Sequence, residues 1–177
     1  MLTTIPTADL SKAQRADIRA LLDQAFLGNF SDDDWDHALG GLHFLAEDQG
    51  TLVAHAAVVQ RSFLHADRAW RCGYVEAVAV HPSWRGQGFA ATVLDAAESV
   101  IDRGYDLGAL SASEAGRGLY VSRSWLPWRG RTAVLSPTGL TPTPEDDDST
   151  FVRFAPDGPH FDRAATLACD WRNGDVW

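Results

Sequence analysis

The sequence predicts an α+β fold in which a mixed, mostly antiparallel sheet is flanked by helices. The first observation is a meander of three strands, at residues 43–47, 51–64 and 70–80. The second is a helix at 87–103 that leads into a short apolar strand at 106–112. Because a helix connects that strand to its predecessor, the two strands must lie parallel.

The elements before the meander follow from local signals. Residues 2–6 alternate apolar and polar side chains, which is typical of an edge strand. Ser11 is a helix N-cap, and the helix after it has apolar residues at helical spacing and ends at Gly28. Ser31 caps a second helix, whose first turn carries three aspartates and which ends at Gly40–Gly41.

The C-terminal part of the sequence contains shorter elements. A short helix is predicted at 115–122, and the last strands at 131–136 and 150–154. Between these strands, residues 137–148 form a rigid, proline-rich loop that ends in four acidic residues. Neither repeats nor linkers divide the sequence, so we expect a single domain comprising residues 1–177.

The composition limits the classes of partner. Twenty-four acidic and 15 basic residues give a net charge of −9 and a pI of about 4.9. Nucleic acid and anionic membrane are therefore poor partners, and a cationic small molecule is a good one. The two cysteines form no disulfide framework and the six histidines lack ligand spacing, so we expect no metal. We see neither a signal segment nor a bilayer-length apolar run, and we expect a cytoplasmic protein.

The strand at 75–80 leads through a glycine-rich turn into the next helix. Its residues are apolar on both faces, which is typical of an interior strand, except for the carboxylate of Glu76. Pro82 blocks further pairing, and Gly86 and Gly88 allow the backbone to approach a ligand. The helix start adds unpaired N–H groups and the positive end of the helix dipole, so the turn predicts an anion site.

Several interpretations of this turn compete. A dinucleotide fingerprint is weak, because the acidic residue that it requires at the end of the next strand is missing. A phosphate loop is absent, since no lysine follows either glycine. An ordinary strand–turn–helix explains the glycines but not Glu76. The remaining interpretation is a pyrophosphate cradle for coenzyme A, because the turn resembles the Arg/Gln-x-x-Gly-x-Gly/Ala signature of the GNAT superfamily of acyl-CoA-dependent N-acetyltransferases. The signature residues are Arg85, Gly86, Gln87, Gly88, Phe89 and Ala90.

A second resemblance covers nearly the whole chain. Seven segments are similar to the aminoglycoside 2'-N-acetyltransferases: residues 40–43, 55–61, 71–76, 107–111, 119–123, 125–128 and 169–177. The resemblance implies a GNAT fold in which two central parallel strands splay apart to admit the pantetheine arm of acetyl-CoA, the co-substrate. It also implies cofactor contacts from Val78 and Val80 and a homodimer.

Two positions depart from this family. Asn29 stands where the family has an acidic residue, which removes one charge from a substrate contact. Ser124 stands where the family has glycine, at a predicted helix C-terminus, and we expect this to lower stability by about 1 kcal/mol.

Acetyl transfer to an amine requires a base, an oxyanion site and an acid. An amino-sugar nitrogen is largely ammonium at neutral pH, so Glu76 is the candidate base, acting directly or through a water. The N–H of Val78 can hold the thioester oxygen if strand pairing is broken there. Tyr120 occupies the place of the superfamily's general acid. The alternatives are an ion pair of Glu76 with Arg71 and an ordinary core aromatic for Tyr120.

A polycationic aminoglycoside requires carboxylates for binding. Besides Glu76, the candidates are Asp34, Ser111, Asp146, Asp175 and the terminal carboxylate of Trp177. The alternatives are a capping role for Asp34, a solvated acidic loop and a frayed tail. Because Trp171, Val176 and Trp177 are apolar, we expect the tail to dock.

Three hypotheses of function remain open. The first is an aminoglycoside 2'-N-acetyltransferase that confers resistance. The second is a GNAT enzyme for another amine, such as a polyamine, a cell-wall amino sugar or a peptide N-terminus. The third is a catalytically silent acyl-CoA-binding module. Glu76 and Tyr120 argue against the third, and the acidic surface and the Asp-Val-Trp tail favour the first over the second.

Overall fold

The computed structural model describes residues 1–156 and 158–177. Its helices are α1 (Lys12–Ala25), α2 (Asp32–Ala38), α3 (Phe89–Gly104) and α4 (Arg117–Ser122). Its strands are β1 (Leu2–Pro6), β2 (Leu42–Asp48), β3 (Thr51–His65), β4 (Arg68–Val80), β5 (Leu107–Ser111), β6 (Leu126–Pro127), β7 (Thr132–Ser136), β8 (Gly139–Pro142), β9 (Thr150–Phe154) and β10 (Leu167–Asp170).

These elements form two compact units. The first unit contains Met1–Val59 and Val75–Val100, and the second contains Gln60–Tyr74 and Ile101–Trp177. Strands β3 and β4 and helix α3 each contribute residues to both units.

In the first unit, β1, β2 and β3 pair antiparallel in sequence order. Helix α1 begins with a capping box, in which Ser11 and Gln14 each bond the other's backbone N–H. Its apolar face packs in a core that includes Ile18, Leu22 and Phe30. Helix α2 begins with a second capping box, between Ser31 and Asp34. Both predicted N-caps are therefore confirmed.

In the second unit, the hydrogen-bonded strand order is β6-β9-β5-β4-β3-β10-β7-β8. The β4–β5 and β10–β7 pairs are parallel, whereas the β9 pairs, β3–β10 and β7–β8 are antiparallel. A mixed, mostly antiparallel sheet with helices is thus confirmed, as is the parallel relation of β4 and β5. Gly108 is required in β5, since a Cβ there would lie 2.9 Å from Ile101 Cγ2 and 3.2 Å from Trp125 Cη2.

The structure corrects the sequence prediction at the C-terminal end. Residues 150–154 do not form the last strand, because β10 follows and pairs with both β3 and β7. The loop predicted at 137–148 contains β8, which pairs antiparallel with β7. Strand β6, which pairs with β9, also escaped prediction. Strands of two to four residues are too short to show a period in the sequence.

Within the described residues, no helix is long and apolar enough to cross a membrane. The same residues contain no group of three His, Cys, Asp or Glu side chains that could hold a metal ion.

Candidate active site

The centre of β4 carries the candidate base and the candidate oxyanion donor. Glu76, Ala77 and Val78 are all partly exposed, whereas Val75 and Ala79 are buried. The prediction of a strand buried on both faces is therefore wrong at these three residues. Solvent therefore reaches this part of the strand, although Ala77 also packs against the core that includes Ile18 and Leu22.

The backbone changes direction at the same place. Ala77 has a φ of 50°, the left-handed conformation that residues with a Cβ rarely adopt. A left-handed residue within a strand interrupts the regular pairing and turns the neighbouring peptide. The N–H of Val78 follows directly, at the point where the sequence analysis required a break in pairing. We call this change of backbone direction the Ala77 kink.

One residue that contacts this kink was not among those predicted from the sequence. His55 lies on β3 with none of its surface exposed, and its Nδ1 is 2.8 Å from the carbonyl oxygen of Ala77. Arg71, the partner considered for Glu76, instead pairs with Asp106 through its Nη2 at 3.3 Å and its backbone N–H at 2.9 Å. No sequence signal marks His55, because its acceptor lies 22 residues away.

Residues 85–91, which we call the glycine turn, comprise the end of the connection between β4 and α3 and the first three residues of α3. Gly86 and Gly88 have φ values of 77° and 87°. A Cβ on either one would meet no described atom within 4 Å. Both glycines are exposed, and the N–H groups of the first turn of α3 have no acceptor within the helix. The turn therefore presents open backbone and helix-start donors to solvent, as an anion site requires.

Side chains brace this turn from the protein side. Arg85 donates from Nη2 to the carbonyl of Ala25 at 3.1 Å and from Nε to that of Val80 at 3.4 Å. Gln87 donates to the carbonyl of Ser83 at 3.2 Å. The predicted cofactor residues Arg85 and Gln87 thus fix the loop, and Arg85 also brings a positive charge to it.

Asp34 is also in the first unit, and its capping role is realised. Its Oδ2 accepts from the N–H of Ser31 at 2.8 Å at the start of α2. Its neighbour Asp32 pairs with Arg19 at 2.9 Å. Asn29, the departure from the family pattern, is exposed shortly before this helix.

Tyr120, in the second unit, is buried on α4. Its ring packs edge-on against Trp125 and is tilted against Phe151, with centroids 6.1 and 6.4 Å apart. Burial raises the pKa of its hydroxyl to about 12. The hydroxyl therefore keeps its proton at neutral pH, as a general acid must before it donates. Ser124 follows this helix with a φ of 65°, so the position does have the left-handed conformation that favours glycine.

The second unit also brings the predicted acidic residues together from separate segments. We call the set formed by Ser111, Asp146, Asp175 and Trp177 the acidic cluster. Ser111, at the end of β5, donates to the hydroxyl of Ser149 at 3.0 Å, and Ser149 in turn donates to the carbonyl of Asp146. Burial is the largest cause that raises the pKa of Asp146 to about 6. The negative charges of Asp175 and of the loop neighbours Glu145 and Asp147 raise it further.

The adjacent carboxylate has the opposite environment. Asp147 accepts from the N–H of Thr132 at 2.7 Å and from Arg131 Nη1 at 2.7 Å. The hydrogen bond from the N–H of Thr132 is the largest cause that lowers the pKa of Asp147, and the hydrogen bond from Arg131 is the next. Asp147 is thus a structural anchor, whereas Asp146 is an anion without such compensation. The sequence analysis treated the run 145–148 as one loop and could not separate the two.

The tail docks, as predicted. Trp177 is buried, packs edge-on against Phe63 and donates from Nε1 to Thr143 Oγ1 at 2.9 Å. Its backbone N–H donates to Asp175 Oδ1 at 3.0 Å. Trp171, by contrast, is exposed, so its predicted burial is wrong.

Arg172 is a second residue that the sequence analysis missed. It donates from Nε to the carbonyl of Asp175 at 2.8 Å and from Nη2 to the main-chain oxygen of Trp177 at 2.9 Å. The tail oxygen is therefore already paired with a cation. Asp146 and Asp175 carry more of the site's negative character than that oxygen does.

Comparisons with known proteins identify the family of the chain. The model of the acetyltransferase (GNAT) family matches residues 10–121. A curated relative, an aminoglycoside 2'-N-acetyltransferase of Mycolicibacterium fortuitum, is 55% identical over 175 residues, which cover 98% of this chain and 90% of the relative.

Solved structures share the fold at low sequence identity. A GNAT family acetyltransferase from Brucella melitensis, determined in complex with acetyl-CoA, matches with a TM-score of 0.60 and 16% identity over 98% of this chain and 97% of that one. Eis1 of Mycobacterium abscessus matches with a TM-score of 0.61 and 18% identity over 75% of this chain, which spans about a third (33%) of Eis1. Because the family model covers more than half of the sequence and the curated relative nearly all of it, the chain belongs to the GNAT acetyltransferase family.

Proposed function

We propose that this protein transfers the acetyl group of acetyl-CoA to the 2'-amino group of aminoglycosides and thereby confers resistance to them. The observation that carries the proposal is the 55% identity, over 98% of the chain, with an aminoglycoside 2'-N-acetyltransferase. The composition agrees with it, since a net charge of −9 suits a polycationic substrate.

The glycine turn fits the pyrophosphate of coenzyme A. Open space over Gly86 and Gly88 leaves room for phosphate oxygens, and the start of α3 supplies N–H donors and the dipole. Arg85 adds a positive charge that is fixed by Ala25 and Val80. Phe89 and Ala90 begin the helix, so their N–H groups belong to this donor set. Acetyl-CoA supplies the thioester and the aminoglycoside supplies the amine that attacks it.

The Ala77 kink supports the catalytic roles. Glu76 is partly exposed beside it and serves as the base that deprotonates the ammonium, directly or through a water. The N–H of Val78, turned by the kink, stabilises the oxygen that becomes negative in the transition state. Tyr120, whose hydroxyl carries its proton at neutral pH, protonates the leaving thiolate.

The acidic cluster supports the choice of substrate. Asp146 and Asp175 come from a loop and a tail that the second unit holds close enough for their charges to interact. Carboxylates that repel each other are stabilised by a bound cation, because the cation relieves that repulsion. Asp34 is a further candidate contact with its Oδ2 engaged by Ser31. A homodimer and a cytoplasmic location stay predictions.

The catalytic assignment is tested by thiol release from acetyl-CoA in the presence of a 2'-amino aminoglycoside. Glu76→Gln is expected to lower kcat by roughly 10²–10⁴-fold, most strongly at low pH, where the amine carries its proton. Tyr120→Phe keeps the ring contacts with Phe151 and is expected to slow transfer without raising KM. Glu114→Gln, at a side chain that is 95% exposed, is the control and should change neither.

Two results would count against this proposal. Wild-type protein that releases no thiol with any 2'-amino compound is not such an enzyme. Glu76→Gln and Tyr120→Phe variants with wild-type pH profiles would show that other groups carry the acid and base roles.

A further inference from the structure

Four residues of the first unit form one continuous chain of hydrogen bonds. Thr7 Oγ1 lies 2.8 Å from His43 Nε2. His43 Nδ1 lies 2.9 Å from His55 Nε2, and His55 Nδ1 lies 2.8 Å from the carbonyl oxygen of Ala77. The chain therefore begins beside the helical segment after β1 and ends at the Ala77 kink.

The partners fix the direction of every bond in this chain. A carbonyl oxygen can only accept, so the Nδ1 of His55 carries a proton, and in a neutral ring its Nε2 then accepts. His43 in its neutral form donates from Nδ1 and accepts at Nε2 from the hydroxyl of Thr7, which lies closer to this nitrogen, at 2.8 Å, than to the carbonyl oxygen of Gly41, at 3.3 Å. Thr7 Oγ1 in turn accepts from the N–H groups of Gly40 and Gly41, at 2.9 and 3.2 Å. In their neutral forms both rings are therefore Nδ1–H tautomers.

Burial keeps the two imidazoles neutral. Neither His43 nor His55 has exposed surface. Desolvation lowers the pKa of His55 to about 3, against the opposing effect of its bond to Ala77 and with a smaller lowering by His43. Desolvation also lowers the pKa of His43 to about 4, with a smaller contribution from Arg15. A protonated ring would present two donors and would disrupt the sequence of bonds. The chain of hydrogen bonds therefore has a single arrangement at neutral pH.

The conformation of Ala77 requires such a support. A residue with a Cβ is unfavourable at a φ of 50° and keeps that conformation only when its surroundings impose it. The hydrogen bond from His55 holds the carbonyl of Ala77, which belongs to the same peptide group as the N–H of Val78. Fixing the oxygen of a planar peptide group also fixes the direction of its N–H.

We propose that Thr7, His43 and His55 are positioning residues that hold the Ala77 kink and so direct the N–H of Val78 and the side chain of Glu76 for catalysis. The inference rests on the proposed acetyl transfer. It predicts that these three residues, which touch no reacting atom, set kcat rather than substrate affinity.

The same strand contains a matched histidine with no such role. His65 is also buried on β3, and its Nδ1 lies 3.0 Å from the carbonyl oxygen of Thr166. That acceptor lies in the second unit, before β10. Loss of His65 removes a buried histidine and a hydrogen bond of the same kind, but leaves Ala77 untouched.

A double-mutant cycle tests the inference. His55→Leu is expected to lower kcat by roughly ten- to a hundredfold with little change in either KM, because misdirected groups slow the reaction. Ala77→Gly accepts the left-handed conformation without support. In the Ala77→Gly background, His55→Leu should therefore cost much less in kcat than it does beside Ala77, which is a coupling between the two sites.

Two further variants separate positioning from general stability. His55→Asn retains an N–H that can reach the carbonyl of Ala77 and should recover much of kcat. His65→Leu should lower the melting temperature and leave kcat unchanged at 25 °C. An equal effect of His55→Leu in both backgrounds, or an equal loss of kcat in His65→Leu, overturns the inference. Absence of activity in the wild type would instead refute the proposed function.

Wild-type protein gives an independent test if His55→Leu does not fold. Imidazole ¹⁵N chemical shifts distinguish the two neutral tautomers of histidine. The expected result at pH 7 is the Nδ1–H tautomer for both His43 and His55. The Nε2–H tautomer at either ring would break the chain of bonds and overturn the inference.

Discussion

The glycine turn of the first unit and the acidic cluster of the second unit are both candidate binding surfaces, but they are built in opposite ways. The glycine turn consists of consecutive residues, and it offers backbone N–H groups that glycine conformations expose. The acidic cluster combines a strand end, a loop and the tail, and it offers side chains whose charge depends on distant neighbours. A contiguous backbone site can therefore be predicted from a motif, whereas a side-chain site requires the fold.

Among the binding surfaces, we expect the largest effect at the glycine turn. Gly88→Val places a β-branched residue at a φ of 87° and fills the space left for phosphate. We expect the affinity for acetyl-CoA, measured by calorimetry, to fall by about 1.4–3 kcal/mol, or ten- to a hundredfold and more in Kd.

Gly28→Val is the matched control for that change. Gly28 also has a positive φ, 79°, with no described atom within 4 Å of a Cβ, but it lies after α1 and outside the turn. Gly28→Val should lower stability to a similar extent as Gly88→Val and leave the affinity for acetyl-CoA unchanged. Equal affinity losses in both variants would show that backbone strain, and not a phosphate site, explains Gly88→Val.

The next effect separates neighbouring carboxylates of the acidic loop. Asp146→Asn should raise KM for an aminoglycoside about tenfold, because it removes one charge–charge contact. Asp147→Asn should leave KM unchanged and lower the free energy of unfolding by about 1–3 kcal/mol, because Asp147 anchors Thr132 and Arg131. Steady-state kinetics and urea unfolding measure both. The reverse pattern would show that Asp147 is the binding residue.

The same residue gives a pH dependence of stability. The pKa of Asp146 is about 6 in the folded chain against an ordinary value of 3.8, so the folded state binds more protons between these values. The stabilisation of the folded state by the proton on Asp146 is therefore fully present below about pH 4 and is lost as the pH rises through 6. Because the side chain is partly exposed, we expect Asp146→Asn to stabilise the protein at pH 7 by only about 1 kcal/mol.

Melting temperatures of wild type and Asp146→Asn at pH 4 and pH 7 check this expectation. The difference between them should grow with pH. Aminoglycoside binding should follow the opposite course in the wild type and weaken as Asp146 takes up its proton near pH 6. A difference in melting temperature that is independent of pH would show that the pKa of Asp146 in the folded protein is not raised.

The smallest effect is at the end of α4. Ser124 has a φ of 65°, so Ser124→Gly should raise the free energy of unfolding by about 1 kcal/mol or less. Ser122→Gly is the control within the helix and should lower stability instead, because glycine is a poor helix former. Chemical denaturation of both variants measures the difference. If Ser124→Gly does not raise the free energy of unfolding, the assignment of Ser124 as the helix-ending residue is contradicted.

Sequence patterns predicted the parts of the fold that depend on local interactions. Ser11 and Ser31 cap their helices through residues three positions away, and Ser124 ends α4 through its own backbone conformation. Strand β10 depends on partners in β3 and β7 and has only four residues, so its sequence carried no period. Short strands are defined by what they pair with, and a single sequence does not contain that information.

The candidate site divides along the same line. Glu76 became a candidate because a charge in an apolar strand is conspicuous, and the glycine turn because of its motif. His55 and Arg172 were missed because each acts on a main-chain carbonyl, and a carbonyl has no sequence identity. The roles of Asp146 and Asp147 were not separable, since the N–H of Thr132 distinguishes them from 15 residues away.

The position of the new acetyl group decides whether the protein is a 2'-N-acetyltransferase. An aminoglycoside with several amines, including one at 2', is incubated with the protein and acetyl-CoA, and the product is analysed by NMR. We expect a single product acetylated at the 2' nitrogen, and little reaction with the matched compound that carries a 2'-hydroxyl. Acetyl groups distributed over several amines, or equal turnover of the 2'-hydroxyl compound, would contradict this expectation.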